Sequence, residues 1–180
     1  LEREFAGFGA SGRNGGWVTA ALPGSRARYA RGPRGREGVR DLERHLRDTV
    51  DEVARVCAAE GIDASLVKGG ELSVATSAAQ DARLRHRLEQ EREWGDDALV
   101  VRYLDGRDLS GRVRVQGAVG ALYSPHCARV QPADLVAGLA GVVAGAGVHL
   151  YEATPVTSIS PGLARTPAGD VRAPYVLRCT

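Results

Sequence analysis

The chain has no methionine among its 180 residues. The initiator must therefore be accounted for by removal, by trimming of a leader, or by a segment upstream of Leu1. No apolar run approaches the ~20 residues needed to cross a bilayer. The N-terminus also lacks the basic region and apolar core of a secretory signal. Cysteine is scarce: Cys57, Cys127 and Cys179 are an odd number with no C-x-x-C among them. That pattern favours reduced thiols and a cytoplasmic setting over a disulfide framework. Aromatic residues make up only 5% of the chain, and Lys68 is its sole lysine. Positive charge is thus carried by arginine, yet the net charge is only +2, too little to argue for a nucleic-acid partner.

What is present is globular: 43% hydrophobic and 26% charged residues, in a length that allows one ordinary domain or parts of two. Residues 1–35 are rich in Gly, Arg and Ala, and read as a loop punctuated by Pro23-Gly24 and Gly32-Pro33. From Arg36, the recurrence of Val39, Leu42, Leu46, Val50, Val53 and Cys57 predicts a helix with one buried stripe, ended by Gly61. "LVKGGELSVAT" predicts a strand around Leu72 and Val74. Ser77 predicts the cap of a charged surface helix running to Trp94. Residues 96–130 read as β structure and loops. Pro132 opens a further helix that Gly145 and Gly147 stop. "VHLYEA" and "VTSI" then read as strand, "PGLARTPAGDVRA" as a hairpin, and "YVLRC" as a last buried strand. The sum is an α/β arrangement.

Gly7-Phe8-Gly9-Ala10-Ser11-Gly12 matches G-x-G-x-x-G literally. A first dinucleotide fingerprint needs a buried strand before it, a helix after it, and an acidic residue about twenty positions on. "LEREFA" is too short and charged for that strand, "RNGGWVTAALPG" is a poor helix, and Arg and Gly surround position 32. All three conditions fail. The stretch makes better sense later in such a unit. There Leu1-Glu2 ends a second strand with an acid placed for a ribose, and the Ser/Gly/Asn loop lets a flat or anionic cofactor approach its backbone.

In this form "LEREFAGFGASGRNGGW" resembles the glycine oxidase/D-amino-acid oxidase superfamily of FAD-dependent oxidoreductases, nearest to the gamma-glutamylputrescine oxidase branch. "HCARVQPADLVAGLAGVVAGAGVHLYEATPVTSI" and "GDVRAPYVLRCT" are similar to later segments of that family. The resemblance implies a partial FAD-binding Rossmann-like domain with an inserted α+β substrate-side segment. Residues 1–60 and 129–180 would belong to the FAD-binding domain and 61–128 to the substrate side. It also implies a glycine fingerprint upstream of Leu1 and further chain after Thr180, hence exposed apolar surface near Leu1 and on "YVLRC". Matched position by position, Glu2 with Arg3 would bind the adenosine ribose. Ala10 and Ser11 would lie along the pyrophosphate. Arg13, Asn14, Gly15 and Gly16 would bring the loop against pyrophosphate, ribityl chain and isoalloxazine, while the Val156 backbone would meet the adenine. The activity implied is oxidation of the C–N bond of an amine or amino acid, with oxygen or another acceptor reoxidising the cofactor.

Other constellations are weaker. His126 and Cys127 beside Tyr123 have no second His/Cys pair at metal-ligand spacing. His45, His86 and His149 are scattered, and no G-x-S-x-G is present. No catalytic residue is nominated. Eight arginines between Arg26 and Arg47 raise the alternative of an arginine-rich nucleic-acid-binding module without enzymatic activity. Only Tyr29 is available there for base stacking, so the stretch reads as an arginine-rich loop leading into a solvated helix face. In a flavoprotein some of these arginines could instead sit near phosphates.

Overall fold

The computed structural model describes residues 1–179. A 3₁₀ turn at Ala10–Gly12 is followed by β1 (Trp17–Thr19), α1 (Arg26–Tyr29), α2 (Gly35–Ala59), β2 (Glu71–Ala75), α3 (Ala78–Trp94), β3 (Arg102–Asp105), α4 (Gly106–Ser110), β4 (Gly120–Ser124), β5 (Cys127–Arg129), α5 (Pro132–Gly145), β6 (Ser158–Ser160), β7 (Leu163–Thr166) and β8 (Gly169–Arg172). The fold is mixed helix and sheet, and its contacts fall into two units. One holds 1–16, 57–65 and the chain from Gln131 onward; the other holds 17–56 and 66–130. Among the described residues every sheet is antiparallel.

The unit of residues 17–56 and 66–130 is built on the sheet β2-β4-β3. Period-two alternation sends Leu72, Val74, Leu104, Ala121 and Tyr123 to one face. There Leu104, Leu109 and Ala121 form the buried cluster. The other face carries Tyr103, whose hydroxyl donates to Asp81 of α3. Gly120 makes room for it, since a Cβ at that position would lie 1.9 Å from the Tyr103 oxygen. The caps of α3 follow from its sequence. Ser77 Oγ accepts from the Gln80 N–H at 3.3 Å, and Gln80 reaches back to the Thr76 N–H at 2.7 Å. At the other end Gly95 takes φ 94°. The Gly95 N–H then donates to Arg92 and that of Asp96 to Glu91, at 2.9 and 3.1 Å, closing a Schellman turn.

Helix α2 is where the periodic stripe departs from expectation. Val39, Val50 and Cys57 are buried, but Leu42 is 40% exposed and Glu43 is buried in its place. The reason is electrostatic: Glu43 turns inward to meet Arg26. Helix α4 is an addition to the β-and-loop reading of 96–130. Asp105 caps it by accepting from the N–H groups of Arg107 and Asp108, both at 2.9 Å.

In the unit of 1–16, 57–65 and 131 onward, α5 starts at Pro132 as expected. Gly138 lets α5 press on Ile62, whose Cγ2 would lie 2.3 Å from an added Cβ. β6, β7 and β8 form an antiparallel meander, with the expected hairpin between β7 and β8. Two sequence expectations are corrected here. "VHLYEA" is not a regular strand, because its pairing with residues 2–4 is broken by Ala153 at φ 48°. "YVLRC" is neither strand nor buried: Tyr175 and Leu177 are 87% and 85% exposed. Hydrophobicity alone does not make a strand whose backbone groups have no ladder partner. Thr180, the last residue of "GDVRAPYVLRCT", lies outside the described residues.

Leu109→Ala should lower stability by about 2–5 kcal/mol, read from the denaturant midpoint, because it opens a cavity at a fully enclosed site. The Tyr103 and Arg85 hydrogen bonds hold the Asp81 carboxyl below its ordinary range. A carboxylate depressed in the folded state contributes stability above its unfolded pKa and loses it as pH falls through the folded one. Tyr103→Phe should therefore destabilise more at pH 7 than at pH 2, as urea midpoints at the two values will show.

Candidate functional site

The residues nominated from the sequence all fall in the unit that contains residues 1–16. Its opening loop is folded on itself by glycine. Gly7 adopts φ 90°, and Gly12 approaches so closely that a Cβ would sit 2.1 Å from the Gly7 carbonyl oxygen. Between them the chain makes the 3₁₀ turn, closed by the Arg13 N–H donating to Ala10 at 3.2 Å. The Asn14 amide donates to the carbonyls of Ala10 and Ser11 at 3.3 and 3.0 Å. Its oxygen accepts from the N–H of buried Gly16 at 2.9 Å. Asn14 is thus an internal brace. Ala10, Ser11, Arg13 and Gly15 are left on the outside of the loop, and nothing lies within 4 Å of where a Gly15 Cβ would be. Arg13 lies 4.3 Å over the Phe8 ring, which itself meets Phe5 edge-on at 5.3 Å.

A second line of bonds ties this loop to a segment far along the chain. The Glu2 N–H donates to Tyr151 and the Thr154 N–H to Glu2, both at 2.8 Å, and the Ala153 N–H donates to Glu4 at 2.8 Å. Glu152 Oε1 accepts from the Ala6 N–H at 2.7 Å, across 146 positions. Glu2 is therefore held in a strand-like pairing two residues short of Val156. Its carboxylate accepts from the Glu4 N–H at 3.0 Å, and a carboxylate has further lone pairs to offer. Arg3 is exposed, 3.4 Å from Glu4. The partners Tyr151, Glu152 and Thr154 were not named from sequence. Their signal was the extended "VHLYEA" pattern just before "TPVTSI".

The other unit has a cavity of about 520 Å³, lined by both polar and apolar residues, among them Thr19, Arg47, Glu71, Ser124 and His126. At its wall Arg26 is only 21% exposed and binds three carboxylates: Glu43 at 2.5 Å, Glu91 at 2.6 Å and Asp96 at 2.8 Å. Burial works against the Arg26 charge. The Glu43 hydrogen bond and the fields of Glu91, Glu43 and Asp96 outweigh it and raise the pKa. Arg26 is thus neither a solvated loop residue nor free for a phosphate. His126 Nδ1 is buried without a hydrogen-bond partner. Burial, with the Lys68 and Arg47 cations, pushes this imidazole below its ordinary range, so the ring is neutral at pH 7. Burial and Glu71 push the Cys127 thiol up, which disfavours the thiolate that a nucleophile needs. Among the described residues no group of three or more His, Cys, Asp or Glu is placed to hold a metal ion. No helix there is long and apolar enough to cross a membrane.

Comparison with known proteins agrees with the resemblance read from the loop. Gamma-glutamylputrescine oxidoreductase of Escherichia coli (strain K12) is 30% identical over 186 residues, which cover 98% of this chain and 41% of that protein. Glycine oxidase of Geobacillus kaustophilus (strain HTA426) is 31% identical over 99 residues, 55% of this chain and 26% of that one. The crystal structure of glycine oxidase from Geobacillus kaustophilus superposes with a TM-score of 0.72 at 26% identity, covering 96% of this chain and 45% of that one. L-Amino acid deaminase from Proteus myxofaciens shares the fold at TM-score 0.72 and 18% identity, over 96% of this chain and 37% of that one. The chain thus spans less than half the length of the relatives it matches. The family of FAD dependent oxidoreductases matches over residues 1–180, and the chain belongs to that family.

Proposed function

We propose that this chain forms part of an oxidoreductase that uses FAD to oxidise the C–N bond of an amine or amino acid. The observation that carries the proposal is the pairing of the glycine-folded loop with residues 151–154. It gathers Glu2, the outward loop of Ala10 to Gly15, and Val156 within one unit. The donor set fits the group. Glu2 offers a carboxylate to the hydroxyls of the adenosine ribose, with Arg3 beside it. Ala10 and Ser11 present backbone and a small side chain to the pyrophosphate. Arg13 brings a cation propped on Phe8, and Gly15 and Gly16 allow close approach of the backbone. Asn14 serves by holding that loop in shape, and the Val156 backbone meets the adenine.

When bound, FAD supplies the hydride acceptor for the substrate carbon that bears nitrogen. The substrate leaves as an imine, which water hydrolyses to a carbonyl compound and the free amine or ammonia. Oxygen or another acceptor takes the electrons. The protein's part is placement, so a conspicuous acid–base pair is not required beyond a neutral, aligned amine. In this reading residues 1–60 and 129–180 belong to the FAD-binding domain and 61–128 to the substrate side. The grouping of 1–16 with the chain from Gln131 onward supports joining those two stretches in one domain, while residues 17–56 group with 66–130. The three unpaired cysteines support a cytoplasmic protein.

Titration of the purified chain with FAD and, separately, FMN tests the proposal through flavin fluorescence. FMN lacks the adenosine half that Glu2 is proposed to hold. Glu2→Gln should weaken FAD binding about tenfold, the worth of one charged hydrogen bond, and leave FMN binding unchanged. A folded chain that binds no FAD, or an equal loss for both flavins, overturns the assignment. Gly12→Ala should remove binding of both flavins, because its Cβ collides with the Gly7 carbonyl, while circular dichroism keeps the helical signal of α2, α3 and α5.

A further inference from the structure

One wall of the 520 Å³ cavity is made by a single short piece of chain. Ala20, Ala21, Leu22, Gly24, Ser25 and Ala27 all line it, together with Arg26. This strap leaves β1 at Ala20, whose N–H donates to the His126 carbonyl at 3.1 Å, and returns at the start of α2. Its inner bonds are local. The Ser25 side chain caps α1, the Tyr29 hydroxyl donates to the Pro23 carbonyl at 2.9 Å, and the N–H groups of Tyr29, Ala30 and Gly32 donate within 25–29. Gly24 and Gly35 interrupt it at φ 95° and 55°, conformations in which a side chain is strained but glycine is free to turn. Apart from bonds at its two ends, where Ala20 and Ala21 meet His126 and Thr19 and where Gly32 and Arg34 meet Gly35, Gly38 and Asp41, the bonds of this segment to other elements among the described residues come from Arg26: to Glu43 on α2, to Glu91 on α3, and to Asp96 at the Schellman turn. Trp94, which also lines the cavity, has Arg36 at 4.3 Å and Arg26 at 5.6 Å over its ring.

We propose that residues 20–34 are a hinged strap over this cavity, with Gly24 and Gly35 as its turning points and Arg26 as the latch that holds it shut. The asymmetry of the anchoring is the reason. A segment with strong local bonds and, between its two tethered ends, one outward anchor moves as a body when that anchor releases, and local opening of this kind is less costly than unfolding the helices beneath. One guanidinium serves three carboxylates through its planar fork. A lysine ammonium in the same place is a point charge without that geometry.

Native-state hydrogen exchange followed by mass spectrometry tests the strap. In the unsubstituted chain, amides of 28–32 should open together, at lower urea than those of Val39–Val50 in α2. Opening only together with α2 would overturn the proposal, and this arm needs no variant. In Arg26→Gln, exchange over 20–34 should rise at least about tenfold while β2, β3 and β4 keep their protection; Arg26→Lys should fall between the two. A uniform rise across the unit would make Arg26 a general brace and refute the latch, as would no change in the strap. Acrylamide quenching gives a separate readout of access. With Trp17→Phe, Trp94 is the one tryptophan left, and Arg26→Gln should increase its quenching at least twofold; unchanged quenching would refute the gating.

Discussion

The backbone contact between Gly7 and Gly12 is the constraint on which the candidate cofactor site depends. An ordinary residue at position 12 would drive its Cβ into the Gly7 carbonyl. Everything outward of that contact follows from it. The 3₁₀ turn is reversed tightly enough for the Asn14 amide to reach two carbonyls, and Gly7 itself can lie against Val136 of α5. The loop therefore gains rigidity from bonds that point inward and leaves its outer surface for something else. A site built this way is pre-organised. Its polar groups need not be reordered when a ligand arrives, and the ordering cost of binding falls accordingly.

The second unit solves a different problem, the burial of charge. A guanidinium at 21% exposure with three carboxylates is tolerable only because each partner is held by an element with its own reason to be there. Glu43 is presented by α2, Glu91 by α3, and Asp96 by the Schellman turn that Gly95 permits. Removing Arg26 leaves Glu43 buried without its guanidinium, while Glu91 and Asp96 keep Arg87 and Arg47; one uncompensated buried charge costs more than such a cluster contributes when intact. The arrangement thus says less about net stability than about geometry: it fixes where the strap before α2 lies.

The sequence made regular helices legible where apolar spacing and caps agree, as in α2, α3 with Ser77, and α5 with Pro132. It misplaced Leu42 because periodicity cannot anticipate that a glutamate one position on will be drawn inward by a distant arginine. Helix α4 escaped notice because five residues carry no period. Only the double acceptance by Asp105 marks it, and that is visible in geometry rather than in pattern. The β-favouring composition of "VHLYEA" and "YVLRC" predicts strands. Whether such segments become strands is decided by pairing partners that lie elsewhere. The loop of Glu2 to Gly16 was legible for the opposite reason: its glycines, serine and asparagine act on their immediate neighbours. What could not be read was the pairing with Tyr151 to Thr154, a contact between distant positions.

That distinction explains why a literal G-x-G-x-x-G occurs here without the strand and helix that normally give it meaning. Glycine spacing reports where backbone must approach backbone or a ligand closely. It does not report the order of the elements around it. In a first dinucleotide unit the same spacing serves a strand-to-helix turn; here it serves a self-folded loop bounded by an extended segment and β1. Both solutions need backbone that can be approached closely, so the same residue types are needed for both. The flanking residues separate them: charged "LEREFA" before and Asn14-Gly15-Gly16 after. In this chain Asn14 spends its side chain on the loop itself, which a strand-to-helix turn would not require.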